Sequence, residues 1–169
     1  MLRLTRADTP QAFQAAFQGR LSALANVQKL FSVSRWTGAS IKTIIQDELR
    51  PYAGPDAQRV DIRGDDIRLP AALAQAIAVS VHELATNAAK YGSLSEPSGQ
   101  IEINWQTDTA GKLSLHWKER GGPRTAKPTR IGFGVGAVDG VIRMLSGSIN
   151  REWKPEGLVC ELTFPLAAA

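Results

Sequence analysis

Cysteine is almost missing from this chain: Cys160 is the only one in 169 residues. An intrachain disulfide is thereby excluded, and a reducing compartment is the simplest setting. Histidine is nearly as scarce, with only His82 and His116. So few ligands and bases give no support to a zinc site or to a Cys/His or Ser/His triad. There is no run of roughly 18 apolar residues and no charged-then-apolar leader, so the expectation is a cytoplasmic chain without membrane contact. The net charge is +4, but Arg20, Lys42, Arg59, Lys90, Arg130 and Lys154 are scattered and form no stripe interleaved with aromatics. No nucleic-acid partner is expected. A modest basic excess suits a polyphosphate ligand or an acidic partner protein equally well. No Gly-Lys-Ser/Thr follows any glycine cluster, which excludes a Walker A loop.

What is present is an ordinary globular composition, 43% hydrophobic and 21% charged, in a chain long enough to bury a core without disulfides or metals. Thr9 and Pro10 cap an expected helix over 9–33, where Phe13, Phe17, Leu21, Leu24, Gln28 and Phe31 recur at helical spacing as a heptad-like seam. That seam fits either a core helix of this domain or half of a helical hairpin. A second helix runs from Ser40 to about Leu49 and is stopped by Arg50-Pro51. Short strands are expected at 58–63 and 67–69. Pro70 opens a long helix to about Tyr91, with Gly92 as its stop. Strands at 100–106 and 112–118, a short helix near 136–146, and strands near 148–153 and 158–164 complete the domain. Helices and strands are segregated and the late strands can pair as hairpins. The expectation is an α+β sandwich, one mixed sheet with helices on one face.

Three segments carry chemistry. On the helix over 70–91, Leu73, Ile77, Val81, Leu84 and Ala88 form the apolar face. A quarter-turn away lie Ala76, Ser80, Glu83, Asn87 and Lys90. Such a row is either a partly solvated face with a polar i,i+4 pair or the floor of a site for a metal-bound polyphosphate. In the second case the Asn87 amide oxygen suits Mg²⁺, Lys90 offers a mobile charge, and Glu83 can orient a water or act as a base. The second segment brings Glu119 to a strand end, followed at once by Gly121-Gly122-Pro123. A carboxylate there can accept from an exocyclic amine, although the same pattern describes an ordinary turn. The third is Gly132-Phe133-Gly134 before a helix, where backbone N–H groups can face phosphate. Each signal alone is weak. Cys160 reads as a core residue.

Together and in this order, the segments resemble the HWE subgroup of bacterial sensor histidine kinases. His82-Glu83-Leu84-Ala85-Thr86-Asn87-Ala88-Ala89-Lys90-Tyr91-Gly92 is similar to that family's N box. Trp117-Lys118-Glu119 is similar to its Trp-x-Glu element, and Gly132-Phe133-Gly134 to its second glycine box. Arg20 to Ala25 and Trp36-Thr37-Gly38-Ala39 resemble the tail of the dimerisation helices and the linker.

The resemblance implies a Bergerat-type ATP-binding fold of the GHKL class, with ATP and Mg²⁺ as ligands. It implies that Asn87 ligates Mg²⁺ with Glu83 beside it, and that Lys90 and Tyr91 lie near the phosphates. Glu119 would accept from the adenine amine, Gly121 and Gly122 would shape the base pocket, and Gly132, Phe133 and Gly134 would belong to a mobile lid over 120–135. The implied division is a remnant of the dimerisation helices over 1–50 and a catalytic domain over 51–169. The implied reaction passes the γ-phosphoryl group to a histidine outside this chain, then to an aspartate on a response regulator receiver domain. The full-length protein would be a homodimer through the helix 9–33. The phosphoacceptor box is not among these residues, and His82 belongs to the N box instead. This leaves open an alternative, a non-catalytic phosphotransfer or scaffold protein on a degenerate kinase fold.

Overall fold

The computed structural model of the protein describes residues 39–53, 59–125 and 133–166. The expected helix over 9–33 lies outside these residues, as do Gly132 and most of the loop before it.

The described chain runs β1 (Ala39–Ser40), α1 (Ile41–Leu49), β2 (Val60–Arg63), β3 (Arg68–Leu69), α2 (Ala71–Tyr91), β4 (Gln100–Thr107), β5 (Lys112–Arg120), α3 (Phe133–Met144), β6 (Ser148–Lys154) and β7 (Gly157–Pro165). Five strands form one sheet in the order β2-β4-β5-β7-β6, with β2 parallel to β4 and every other neighbour antiparallel. β1 and β3 pair separately. This is the expected α+β sandwich with a mixed sheet.

Alternation along the strands decides which face is covered. Ile101, Ile103 and Trp105 on β4, Leu113, Leu115 and Trp117 on β5, and Cys160, Leu162 and Phe164 on β7 are buried. Their neighbours Glu102, Asn104, Ser114, His116, Lys118 and Glu161 are more exposed and polar. That is the pattern of an antiparallel sheet with one solvated face. α2 meets the apolar face through Leu73, Ile77, Val81, Leu84 and Ala88, all part of the same core. Each Leu or Ile buried in this way contributes on the order of 2 kcal/mol.

α1 belongs to this core as well. Ile41, Ile44, Ile45 and Leu49 are at most 1% exposed and pack in one cluster with α2 and the sheet. Ser40 caps the helix by accepting from the Thr43 N–H at 3.0 Å. Residues on both sides of Pro51 therefore share one continuous core, and Arg50-Pro51 ends the helix as expected.

α3 starts three residues earlier than expected, at Phe133, so Gly134 and Gly136 are helical. It ends with the Gly147 N–H on the Ile142 carbonyl at 2.9 Å, the Ser146 N–H on that of Arg143 at 3.0 Å, and Ser146 at φ 55°. This is a Schellman cap with serine in the left-handed position that glycine usually fills. Among the described residues no helix is long and apolar enough to cross a membrane.

Candidate functional site

A cavity of about 400 Å³ opens between α2, the sheet end and α3. Ser80, Glu83, Leu84, Asn87 and Tyr91 from α2 form one wall. Glu119 from β5, Leu158 from β7, and Arg151 and Trp153 from β6 form the sheet side, and Val135 and Val138 from α3 close it. The size suits a small organic ligand, and the lining, mostly apolar with a few polar groups, is that of a specific binding site.

Glu119 is the most constrained polar group. Only 4% of it is exposed. Its Oε2 accepts from the Ser93 N–H at 2.8 Å, and its Oε1 accepts from Trp117 Nε1 at 3.1 Å. Burial pushes its carboxyl above the ordinary carboxylate range, and the bonds from Ser93 and Trp117 pull the other way without cancelling that rise. The Ser93 hydroxyl lies beside the same carboxylate, yet it is buried without a partner at hydrogen-bonding geometry.

The glycines around Glu119 explain how a carboxylate fits there. Gly92 stops α2, but at φ −111° it takes no left-handed turn. A Cβ on Gly92 would sit 2.1 Å from Glu119 Oε2, so the residue must lack a side chain for the carboxylate to occupy this place. Gly121 and Gly122 do not line the cavity. Gly121 turns the chain at φ 71°, and a Cβ on Gly122 would come within 2.5 Å of Ser93 Cα. Their part is to let the strand end close over the segment that holds Glu119.

The opposite wall is looser. Asn87 Nδ2 donates to Glu83 Oε1 at 3.3 Å, one helical turn apart. Asn87 lines the cavity, and its carboxamide oxygen has no hydrogen-bond partner among the described residues. The first turn of α3 packs against Glu83: a Cβ on Gly134 would lie 1.9 Å from Glu83 Oε1. Tyr91 stands at the mouth, 75% exposed. Lys90 is exposed on the last turn of α2 and is not part of the lining. His82, next in sequence to Glu83, faces the other way, with Nδ1 3.0 Å from Glu48 Oε2 on α1.

The structure thus brings together Glu83, Asn87, Tyr91 and Glu119, and leaves Lys90, Gly121 and Gly122 around the rim or behind the lining. Gly132 and the Phe133 side chain lie outside what is described. Sequence reasoning missed Arg124, Val138, Arg151, Trp153 and Leu158. For Arg151 and Trp153 a signal existed, since they are two apart on β6 and share its inward face. Which strand lies beside β5 was not legible from spacing alone.

The family model described as HWE histidine kinase matches residues 1–66. The blue-light-activated histidine kinase of Rhizobium johnstonii is 34% identical over 169 residues, covering 99% of this chain and 48% of that protein. Blue-light-activated histidine kinase 1 of Erythrobacter litoralis is 35% identical over 153 residues, covering 87% of this chain and 42% of that protein. The chain thus spans less than half the length of these relatives. Among solved structures, the histidine kinase domain from the Erythrobacter litoralis EL346 blue-light activated histidine kinase superposes with a TM-score of 0.74 at 17% identity, covering 88% of this chain and 74% of that one. The catalytic domain of the histidine kinase ThkA gives a TM-score of 0.56 at 16% identity, covering 77% of this chain and 96% of that one. At such identities the structures show a shared fold, that of the histidine kinase ATPase domains.

Proposed function

Because this chain belongs to the HWE histidine kinases, we propose that its cavity binds ATP with Mg²⁺ and presents the γ-phosphoryl group to a histidine outside these residues. The observation that carries this reading is one cavity with two unlike ends. Glu83 and Asn87 stand a helical turn apart on α2, and a buried carboxylate, Glu119, faces them from the end of β5.

Each end suits one part of ATP. Glu119 accepts from the adenine amine, against a wall of Leu158 and Trp153. Asn87 offers its amide oxygen to a hard cation. Among the described residues no group of three His, Cys, Asp or Glu converges. Mg²⁺ is commonly shared between one or two protein oxygens and the substrate phosphates rather than caged by side chains. When bound, the ion neutralises charge on the phosphates. Tyr91 stands at the mouth, where the phosphates would emerge, with the exposed Lys90 next to it in sequence as a mobile charge, and Gly134 in the first turn of α3 lies against Glu83. Glu83 is placed to take a proton from the attacking imidazole. Catalysis then rests on positioning and charge neutralisation.

Neither histidine of the chain is placed as acceptor. His82 is turned toward Glu48, and His116 lies on the solvated face of the sheet, 3.9 Å from Glu161 Oε1. From the family reading, the acceptor is assigned to a dimerisation helix, with the segment 9–33 as its partner in a homodimer and a receiver-domain aspartate as the next carrier. The reading carries a cytoplasmic location.

Calorimetric titration of ATP, with and without Mg²⁺, tests this. Binding that needs Mg²⁺ and is lost in Asn87→Ala is the expected result. No heat at millimolar ATP would overturn the reading and favour a phosphotransfer or scaffold role.

A further inference from the structure

We propose that Arg151 reads the base: its guanidinium donates to a ring nitrogen beside the exocyclic amine of adenine, while Glu119 accepts from the amine itself. The inference rests on the ATP reading above and adds a specificity residue to it.

Arg151 is a cation in an unusual place. It faces inward from β6, its side chain is 12% exposed, and it lines the cavity. Nη2 donates to Asp139 Oδ1 on α3 at 2.7 Å. Asp139 is its one hydrogen-bond partner among the described residues. A guanidinium has five N–H donors in a rigid fork, so most of this one's remain unused. Val138, Trp153 and Leu158 line the same cavity with side chains that accept nothing. Leaving donors of a nearly buried cation unmet is costly, so these donors favour an acceptor, and a bound ligand in the cavity can supply one.

The register of the sheet sets the distance to Glu119. Arg151 pairs with Cys160, and Cys160 with Trp117. Glu119 is two residues beyond Trp117 on the same face. Two strand spacings and two residues along β5 put the two backbones roughly 12 Å apart. No ion pair joins the two side chains among the described residues, and both line the same cavity. A heteroaromatic ring fits within that span.

A carboxylate and a guanidinium across such a gap make a donor–acceptor code. Adenine presents an amine donor beside a ring-nitrogen acceptor, whereas guanine presents two acceptors, O6 and N7, on that edge. Arginine alone takes the guanine pair readily. Glu119 facing O6 would repel it. Selection for adenine then needs both residues. Asp139 contributes by fixing the fork, which otherwise could swing toward Glu83 or the phosphates.

The test is calorimetric titration of ATP, GTP, 1-deaza-ATP and 7-deaza-ATP into the wild-type chain, and into Arg151→Met, Arg151→Lys and Glu119→Ala. Arg151→Met is expected to weaken ATP by about tenfold or more, the usual size for a hydrogen bond to a charged group. One of the two deaza analogues should bind the wild type equally weakly and lose nothing further in Arg151→Met, since the same contact is removed twice. Glu119→Ala should narrow the preference for ATP over GTP. The analogue series on the wild type decides the matter even if Arg151→Met does not fold. The inference is overturned if both deaza analogues bind the wild type as ATP does, or if Arg151→Met binds ATP unchanged and still requires Mg²⁺. A wild type that binds no nucleotide overturns the ATP reading first, and the inference with it.

Discussion

Glu83 and Glu119 look at one cavity from opposite sides and are held in different ways. Glu83 stands half-buried on a helix, with the Asn87 amide as its one hydrogen-bond partner among the described residues. Glu119 sits 4% exposed at a strand end, with each oxygen accepting from a donor that is itself locked in place. The first arrangement leaves a carboxylate able to move and to exchange partners during a reaction. The second fixes one for recognition. A helix wall supplies adaptable chemistry, and the sheet supplies a rigid template, because a side chain on a central strand is gripped from both sides.

The contrast can be broken most severely at its base. Trp117 is fully buried and donates to Glu119. Trp117→Ala is expected to cost about 3–5 kcal/mol in denaturant unfolding. A loss below about 1 kcal/mol would show that the rigid end is not set by core packing.

Next in size is Glu119→Gln. An amide can accept from only one of Ser93 N–H and Trp117 Nε1–H, so ATP binding should weaken by roughly tenfold. The pH dependence sharpens this. Because burial raises the Glu119 carboxyl, the folded protein holds that proton more tightly than the unfolded chain. Its contribution to stability is fully present below the ordinary carboxylate range and is lost as pH rises through the raised value. ATP affinity should run the other way, since the ionised form is the better acceptor. Denaturation midpoints and titrations across that window should show opposite slopes in the wild type, and both should flatten in Glu119→Gln.

His82→Ala tests how local the polar helix wall is. It strips the partner from Glu48, which is 7% exposed. A loss of about 1–3 kcal/mol is expected, read by thermal unfolding. ATP affinity should change less than about twofold, because His82 lies on the α1 side of the helix and Glu83 on the cavity side; a change well beyond twofold, or about 0.4 kcal/mol, would join the two faces functionally.

The smallest effect is predicted at Lys154. Its ion pair with Glu152 at 3.1 Å is about half exposed on both sides. Lys154→Ala should alter stability by under about 0.5 kcal/mol, against a clear effect from Asp139→Ala, which strips the α3 partner from Arg151, three positions away from Lys154 on β6.

The comparison also explains how much the sequence could say. The helix end of the cavity was readable because Ser80, Glu83 and Asn87 lie in one chain segment, and a period of 3.6 residues puts them on one face. Glu119 was readable as a carboxylate before a double glycine. The order of elements followed from alternation and from Pro70 and Gly92, with α3 misplaced by three residues because its first glycines look like a loop. Arg151 and Trp153 escaped because their place beside Glu119 depends on β7 lying between β5 and β6. That is a long-range pairing no local pattern records. The inclusion of α1 in the core escaped for a similar reason, since its apolar residues could have served either neighbour.

Cys160 lies on the rung between Trp117 and Arg151, directly behind the cavity floor, with its thiol pushed up to about 12 by burial. At neutral pH it is neither accessible nor ionised, and so it is silent toward alkylating reagents. As the single sulfhydryl in the chain, it acts as a clock: modification proceeds only as fast as β5, β7 and β6 separate. A ligand that holds those strands together should slow that clock in proportion to its occupancy, so the stiffness of the template can be timed without any label being introduced.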